Sequence, residues 1–256
     1  MRAILLGTGT SSGVPVIGCD CAVCASPDPK NQRMRTSIAL VTPNGGTIVV
    51  DTTPEFRLQM TRNGLKQLSG VLYTHSHADH CHGFDDLRAI CFHTHQPVTC
   101  YLAAELIPEF RQRFSYAFTD TGYQGIKPRV ELLPMPSGPF EFGGLTIEPV
   151  RLPHGATSTV GFRCGKFAYA TDFKDFPRET IAAWRGKVEI MVASGIHFGT
   201  HSAHSVIPET IALFEALAVK RGILTHLAHD VDYIRDRSRL PPQVEFGYDG
   251  LSVELS

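Results

Sequence analysis

Short apolar runs, separated by glycine, proline and polar residues, dominate the chain. Runs of about four to eight apolar and β-branched residues bounded by turn residues are typical of strands. In the first half, strands are predicted at 3–6, 37–41, 47–50 and 71–74, and in the second half at 145–151, 160–164, 167–170, 188–193, 222–225 and 251–255. Asn44-Gly45-Gly46 joins the second and third of these as a hairpin.

Helical signals lie between the groups of strands. Predicted helices cover 54–63, 84–92 and 103–114, and apolar residues at helical spacing predict another at 207–218. Pro54 and Gly64 mark the start and end of the first of these helices. Pro108 is expected to interrupt the third, because proline breaks a helix interior. Residues 116–140 are rich in glycine and proline and predict a surface insert or lid.

Groups of strands followed by helices occur in each half of the chain. This order predicts an α/β protein of the αββα sandwich type, in which two mixed sheets face each other and helices flank them. A doubly wound parallel sheet is the alternative, and the predicted hairpins count against it. We expect a single domain over residues 1–256.

Composition and charge disfavour two classes of binding partner, nucleic acids and membranes. Of 256 residues, 24 are basic and 25 acidic, so the formal charge of −1 disfavours nucleic acid held by general electrostatics. No apolar run reaches the roughly 20 residues of a membrane span, so no membrane partner is expected. The first apolar run is too short for a signal peptide, which predicts a cytoplasmic protein. The oligomeric state stays open, a homodimer included.

The strongest chemical signal is the segment from Thr74 to His80, which follows a predicted strand. Four side chains able to bind metal lie within six residues: His75, His77, Asp79 and His80. Burying such groups without partners would cost several kcal/mol, so packing does not explain them. One tetrahedral ion could not use all four and still admit a substrate, so the spacing favours two ions. Further candidate ligands end other predicted strands: His154, Asp172 and His226.

Three of the seven cysteines crowd into Cys19-Asp20-Cys21-Ala22-Val23-Cys24. Tight cysteine spacing without a secretion signal indicates metal binding before disulfide formation.

With these residues in place, the chain resembles the metallo-β-lactamase-fold hydrolases over nearly its whole length. The resemblance implies that His75, His77 and His154 hold one ion and that a second group holds another, namely Asp79, His80 and His226. It implies further that Asp172 bridges both ions. Asp51, which ends a predicted strand, matches an aspartate that supports the metal loop from outside the coordination sphere.

A closer resemblance is to phosphoribosyl cyclic phosphodiesterases of the phosphonate-degradation (PhnP) type. The segments that carry it are Gly7-Thr8-Gly9-Thr10, Gly13-Val14-Pro15, the cysteine cluster, Thr225-His226-Leu227-Ala228-His229 and Phe246-Gly247-Tyr248-Asp249-Gly250. This resemblance implies a separate structural zinc bound by Cys19, Cys21, Cys24 and His229. Such a Cys₃His set closes a tetrahedral site.

The implied activity is hydrolysis of a small phosphodiester, such as a phosphoribosyl 1,2-cyclic phosphate, by a hydroxide shared between two divalent ions. Zinc and manganese both suit the ligands. Asp79 and His204 are the expected catalytic residues. His204 matches a histidine that reaches the site just before a helix, where it can protonate the leaving alkoxide. His201 competes with it for that role.

Other functions stay open at this stage. A tRNA 3′-end endonuclease of this fold shares the ligands, although the balanced charge weakens that reading. A thioesterase or lactonase would use the same ions on a carbonyl group. A non-enzymatic zinc-binding module built on the cysteine cluster is the alternative of a different class, and it leaves the histidine-rich loop unexplained.

Overall fold

The computed structural model describes residues 1–255 apart from 121, 123 and 124. The strands are β1 (Arg2–Gly7), β2 (Ser37–Val41), β3 (Thr47–Val50), β4 (Gly70–Leu72), β5 (Val98–Leu102), β6 (Val130–Pro134), β7 (Phe140–Phe142), β8 (Leu145–His154), β9 (Thr157–Cys164), β10 (Phe167–Ala170), β11 (Ile190–Ser194), β12 (Arg221–Thr225), β13 (Val244–Phe246) and β14 (Ser252–Glu254).

The α-helices are α1 (Phe56–Arg62), α2 (Ala78–Cys81), α3 (Leu87–Thr94), α4 (Ile107–Arg113), α5 (Ser115–Phe118), α6 (Arg178–Trp184) and α7 (Ile207–Leu217). Short 3₁₀ helices cover Pro29–Asn31, Phe84–Asp86, Ala104–Leu106 and Arg235–Arg239.

Across the described ranges, the strands form two mixed sheets of seven strands each. The orders are β14-β1-β2-β3-β4-β5-β6 and β13-β12-β11-β10-β9-β8-β7. Strands β3 to β6 run parallel to one another, as do β10 to β13, and the hairpins add antiparallel pairs at the other side of each sheet.

The buried residues separate into three layers. Leu5, Ile48 and Phe162 belong to the apolar layer between the two sheets. Val49, which neighbours Ile48, points to the opposite face and packs with residues of α1, α3 and α4; successive side chains of a strand alternate in this way. The outer face of the second sheet packs against α6 and α7 through residues such as Phe214. These layers confirm the αββα sandwich.

Several local expectations need correction. Pro108 lies in the first turn of α4 and begins that helix, because its missing N–H has no partner there in any case. The segment 116–140 is not simply an insert: residues 130–134 form β6, the last strand of the first sheet. Three residues of that segment lie outside the described part of the chain. Strands β5, β6, β7 and β13 were not predicted, because three to five residues give too few alternations to detect.

The fold gathers the candidate ligands at one edge. The carboxyl ends of parallel strands meet at the same edge of a sheet, and the loops after β3, β4, β10 and β12 carry Asp51, the histidine-rich segment, Asp172 and His226. Strand β8 ends on His154 itself. Among the described residues, no helix has the length and apolar character needed to span a membrane.

Candidate metal centre and active site

Three imidazole nitrogens converge beside the loop after β4. The Nε2 atom of His75 lies 3.0 Å from Nδ1 of His77, which lies 3.4 Å from Nε2 of His154. Two nitrogens bound to one tetrahedral zinc at about 2.05 Å stand about 3.3 Å apart. The spacing of these three nitrogens therefore fits a shared ion.

A second group faces the first. Asp79, His80 and His226 bring one ligand atom each within 4.8 Å of one another, and Nε2 of His80 lies 3.3 Å from Oδ2 of Asp79. Nε2 of His80 and both ring nitrogens of His226 are buried without an aligned hydrogen bond. Buried polar atoms nearly always have a partner, so these nitrogens fit a bound cation.

Asp172 lies between the two groups. Its Oδ1 atom is 3.1 Å from Nε2 of His226, and its Oδ2 atom is 3.3 Å from Nε2 of His80. It also lies within ligand range of His75 and His154, which belong to the first group. Burial raises the pKa of this carboxyl, but His226 and His80 outweigh burial and hold the pKa well below its usual range. Asp172 is therefore a candidate ligand within reach of both groups.

The backbone turns sharply where three of these side chains leave their strands. Asp51, Asp172 and His226 have φ angles of 68°, 55° and 56°. The left-handed region is uncommon for residues other than glycine, and residues held in it cluster at functional sites. Each of them directly or nearly follows the last residue of a strand, so the turn aims the side chain across the edge of the sheet.

A second layer of hydrogen bonds orients the ligands. Asp51 accepts bonds from the backbone N–H and hydroxyl of Thr74, at 2.8 and 2.7 Å, and lies 2.7 Å from Nδ1 of His80. The Thr74 hydroxyl lies 2.8 Å from Nδ1 of His75. The carbonyl of Ala203 lies 3.2 Å from Nδ1 of His154. Such partners fix the ring that faces a metal.

Asp51 was expected in this layer, whereas Thr74 and Ala203 were not. Thr74 directly precedes the first candidate ligand, and its hydroxyl was the available signal. Ala203 contributes only its carbonyl, so its side chain gave none.

The three cysteines of the cluster lie next to His229, the fourth predicted ligand of the structural zinc. The Sγ atoms of Cys19, Cys21 and Cys24 lie 3.3, 3.5 and 3.6 Å from Nδ1 of His229. Sulfur and nitrogen on one tetrahedral zinc stand about 3.6 Å apart. All seven cysteines are free thiols. The backbone N–H of Cys24, followed by His229, lowers the pKa of Cys21 to about 6, which favours the thiolate that binds metal.

One loop carries a ligand of each cluster. His226 follows β12 and His229 comes three residues later. The buried guanidinium of Arg33 donates to the carbonyls of Ala228 and Val231, at 3.0 and 2.7 Å, and so holds the loop after β12 in place. The two candidate sites are therefore neighbours.

Comparison with known proteins agrees with this geometry. The family model described as "Beta-lactamase superfamily domain" matches residues 46–227, well over half of the chain. The chain belongs to the beta-lactamase superfamily. The matched range includes all seven predicted ligands of the His/Asp cluster, whereas the cysteines lie before it and His229 just after it.

Relatives refine the placement within the superfamily. A crystal structure of a diphosphatase from the PhnP family has a TM-score of 0.90 and 34% sequence identity, covering 99% of this chain and 97% of that one. A zinc-bound PqqB from Methylobacterium extorquens has a TM-score of 0.79 at 18% identity, over the full length of both chains. The first places the chain with the PhnP family, and the second shows the shared fold.

A curated relative is longer. An octanoyltransferase from Porphyromonas gingivalis is 37% identical over 99% of this chain, and the chain spans 51% of its length. The fold and the neighbours together indicate a metallo-hydrolase.

His204, which the sequence predicts to reach the site, lies beside the candidate ligands. Its Nδ1 atom lies 3.5 Å from Oδ1 of Asp172, and its ring centre lies 5.1 Å from that of His226 and 4.8 Å from that of His154. Burial, reinforced by neighbouring imidazoles, lowers the pKa of His204 to about 3, so the ring is neutral at pH 7. His204 therefore forms part of the wall of the candidate site.

His201 occupies a different position. Its Nδ1 atom accepts hydrogen bonds from the backbone N–H groups of Ala203 and His204, both at 3.1 Å. The ring is thus engaged with the turn that carries His204. Geometry favours His204 over His201 as the side chain that faces a substrate.

Proposed function

We propose that this protein is a metal-dependent hydrolase of a small phosphodiester, and that residues 1–256 act as one catalytic domain. The observation that carries the proposal is the meeting of two ligand groups at Asp172 on one edge of the sandwich. A cyclic phosphate of the phosphoribosyl kind is the substrate that the PhnP resemblance implies. Its leaving group stays tethered after the bond breaks, so the site needs to hold only one molecule.

In this proposal His75, His77 and His154 hold one divalent ion, and Asp79, His80 and His226 hold a second, with Asp172 shared between them. Zinc and manganese both suit such a mixed set of nitrogen and oxygen ligands. The cluster of Cys19, Cys21, Cys24 and His229 holds a structural zinc. When bound, a pair of divalent ions lowers the pKa of water and neutralises charge on a phosphoryl oxygen.

The chain's own side chains supply the remaining steps. Burial raises the pKa of Asp79, but the hydrogen bond and charge of His80, together with the charge of His226, outweigh burial and bring the pKa below its usual range, so the carboxylate stays ionised. An ionised carboxylate can accept a hydrogen bond from the attacking water and orient it toward phosphorus. The neutral ring of His204 offers an N–H to the oxygen that leaves. Negative charge on a bound phosphate would raise the pKa of His204 and favour the protonated ring, which could then pass its proton to the leaving oxygen and return to the neutral form.

Diphosphate hydrolysis is the second candidate. The PhnP-family relative with 34% identity is a diphosphatase. Both reactions break a P–O bond and place negative charge on the departing oxygen, so one ligand set serves either reaction. The size of the group beyond the scissile bond would decide between them.

Acyl chemistry has weaker support. The octanoyltransferase relative is about twice as long as this chain, so its transferase activity can belong to the half of that protein that this chain does not match. A thioesterase or lactonase activity nevertheless uses the same kind of site and belongs in any assay panel. The formal charge of −1 gives a tRNA-end-processing activity no general electrostatic support.

Metal analysis combined with a substrate panel tests the proposal. We expect three metal equivalents per chain in protein purified without chelator, two of them in the His/Asp cluster. Bis(p-nitrophenyl) phosphate and a five-membered cyclic phosphate should be hydrolysed, and an acyl thioester should not. One equivalent or fewer, with no hydrolysis, would leave the non-enzymatic zinc module as the better account. Faster cleavage of a diphosphate ester would favour the second candidate.

A further inference from the structure

A cavity of about 240 Å³ opens between the two sheets, apart from the ligand cluster. Ala103 and Ala104, which follow β5, form one wall, and Met135 and Pro136, which follow β6, form the next. The facing sheet contributes a wall from β8 and β9, which includes Val160.

This cavity lies on the same edge as the candidate metal centre. Strands β4, β5 and β6 are parallel neighbours, so the loops after them stand side by side. Adjacent strands are about 4.8 Å apart, so the cavity begins roughly one strand away from the histidine-rich loop. The backbone N–H of Val160 donates to the carbonyl of Thr74 at 3.0 Å, and Thr74 directly precedes His75. A wall residue of the cavity thus touches the metal loop.

The walls of the cavity are formed mostly by apolar side chains. Among the described residues that line the cavity, the side chains with a charge or a hydroxyl are Glu105, Ser137 and Arg151, and all three are exposed at its mouth. Glu105 and Arg151 form an ion pair that joins the loop after β5 to the facing strand β8. The guanidinium of Arg151 also donates to the Ser158 hydroxyl, at 3.2 and 3.1 Å. The charged groups at the mouth are therefore already paired with one another.

Those walls select against a polar occupant. Most of the lining residues are half-buried or exposed, so an occupant stays partly in water. An alkyl group gains by covering the apolar walls, whereas those walls give a hydroxyl group no hydrogen-bond partner. The volume is also below the roughly 300–1,000 Å³ of a pocket that holds a whole ligand. The cavity suits a small aliphatic part of a substrate whose reacting group lies elsewhere.

We propose that this cavity is a specificity subsite that binds an aliphatic substituent of the substrate while its phosphodiester group reacts at the neighbouring His/Asp cluster. The proposal rests on the proposed function for the reacting group. It deepens that function by naming a further part of the substrate: an alkyl arm of a few carbons attached beside the phosphodiester group.

Two esters that differ only in the alkyl arm test this subsite. With the zinc-loaded protein, kcat/KM should be at least about tenfold higher for butyl p-nitrophenyl phosphate than for methyl p-nitrophenyl phosphate, since apolar pockets discriminate by added methylenes. Ala104→Phe fills the cavity from an exposed lining position. It should abolish the preference for butyl, so that kcat/KM for the butyl ester falls to about the value for the methyl ester. Ala183→Phe, at an exposed position of α6, is the matched control and should leave both rates alone.

Equal rates on the two esters in the native protein would overturn the subsite, as would an Ala104→Phe effect that is the same for both. Should Ala104→Phe fail to fold, Met135→Ala enlarges the cavity instead and should move the preference toward a hexyl arm; an unmoved preference counts against the subsite.

Binding separates this proposal from the proposed function. If neither ester is hydrolysed, the phosphodiesterase proposal fails, and calorimetry with methylphosphonate and butylphosphonate still examines the cavity. Tighter binding of butylphosphonate that Ala104→Phe removes would retain the subsite for a different reaction. Equal affinity for the two phosphonates would reject it.

Discussion

The two candidate metal clusters each take one ligand from the loop after β12, His226 and His229, but their ligands are held in place in different ways. In the His/Asp cluster, the side chains of His80, His154 and Asp172 are mostly or fully buried, and neighbouring residues hold them in place. The cysteine cluster is half-buried and comes from a turn-rich segment with little regular structure. Its three sulfurs lie beside the ring of His229, and the backbone N–H groups of Val16 and Cys24 donate to two of them, but no other side chain among the described residues orients the ligands.

This contrast separates two uses of metal. A cluster whose ligands are oriented by a second layer of hydrogen bonds keeps its geometry without an ion and uses the ion for chemistry. A cluster whose ligands depend on one another gains its geometry from the ion, which then contributes to folding. Damage to the first should appear in turnover, and damage to the second should appear in stability.

The largest effect is expected from Asp172→Ala. Because this carboxylate lies within 4.8 Å of ligand atoms from both groups, its loss should lower kcat by at least about 10³-fold, equivalent to about 4 kcal/mol, and weaken both ions of the His/Asp cluster. Turnover and metal content of the variant are the measurements. Asp175→Ala, at an exposed position in the same loop, is the control. Near-native turnover with full metal would disprove the bridging position.

Cys21→Ser should have the opposite profile. Removing one thiolate opens the Cys₃His set, so the melting temperature should fall by several degrees or more, while the remaining folded protein keeps most of its kcat. Asp20→Asn alters an exposed side chain between two of the ligands and should leave the melting temperature unchanged. An unchanged melting temperature in Cys21→Ser would mean that these cysteines are ordinary packing residues.

The same contrast explains how much the sequence could predict. The histidine-rich loop and the cysteine cluster each lie within one short segment, so their spacing was visible directly. His154, Asp172 and His226 were found because each ends a strand-like run, and parallel strand ends share an edge of the sheet. The two-sheet sandwich followed from the hairpins together with the helices.

Other features left no trace in the sequence. The carbonyl of Ala203 and the positive φ of Asp51 are properties of the backbone, and residue types do not reveal them. Strand β6 lies in a segment rich in glycine and proline, where tertiary pairing with β5 overrides the local turn signals. The family resemblance implies that His204 reaches the site, but its 3.5 Å distance from Asp172 depends on how the loop before α7 folds back.

His204→Ala distinguishes a side chain that acts on the leaving group from one that binds metal within the His/Asp cluster. We expect all bound metal to remain and kcat to fall by about 10²-fold on a diester with a poor alkoxide leaving group. The loss should be smaller for a nitrophenolate, which needs little protonation to depart. Equal losses on both substrates would indicate positioning of the phosphate instead. Loss of metal would show that His204 is itself a ligand. Its Nδ1 atom lies 3.5 Å from Oδ1 of Asp172, which is close enough for that outcome.

Asp51→Asn examines the second layer of hydrogen bonds. Asp51 holds both Thr74 and His80, so its neutral analogue should weaken metal binding by about 10- to 100-fold. Excess zinc should then restore most of the native kcat, because the residues that touch substrate are unchanged. A kcat that stays low at saturating zinc would indicate that Asp51 acts on the reaction by another route.

The smallest effect is expected at His201, where only the turn is affected. Its Nδ1 atom accepts from the N–H groups of Ala203 and His204, and the Ala203 carbonyl in turn lies beside His154. His201→Ala removes the acceptor and should lower kcat by a few-fold through a less ordered turn. His201→Asn restores an acceptor on a side chain of similar reach and should recover most of that loss, since the backbone N–H groups regain a partner. A defect in His201→Ala as large as that of His204→Ala, without recovery in His201→Asn, would reverse the assignment of the two histidines.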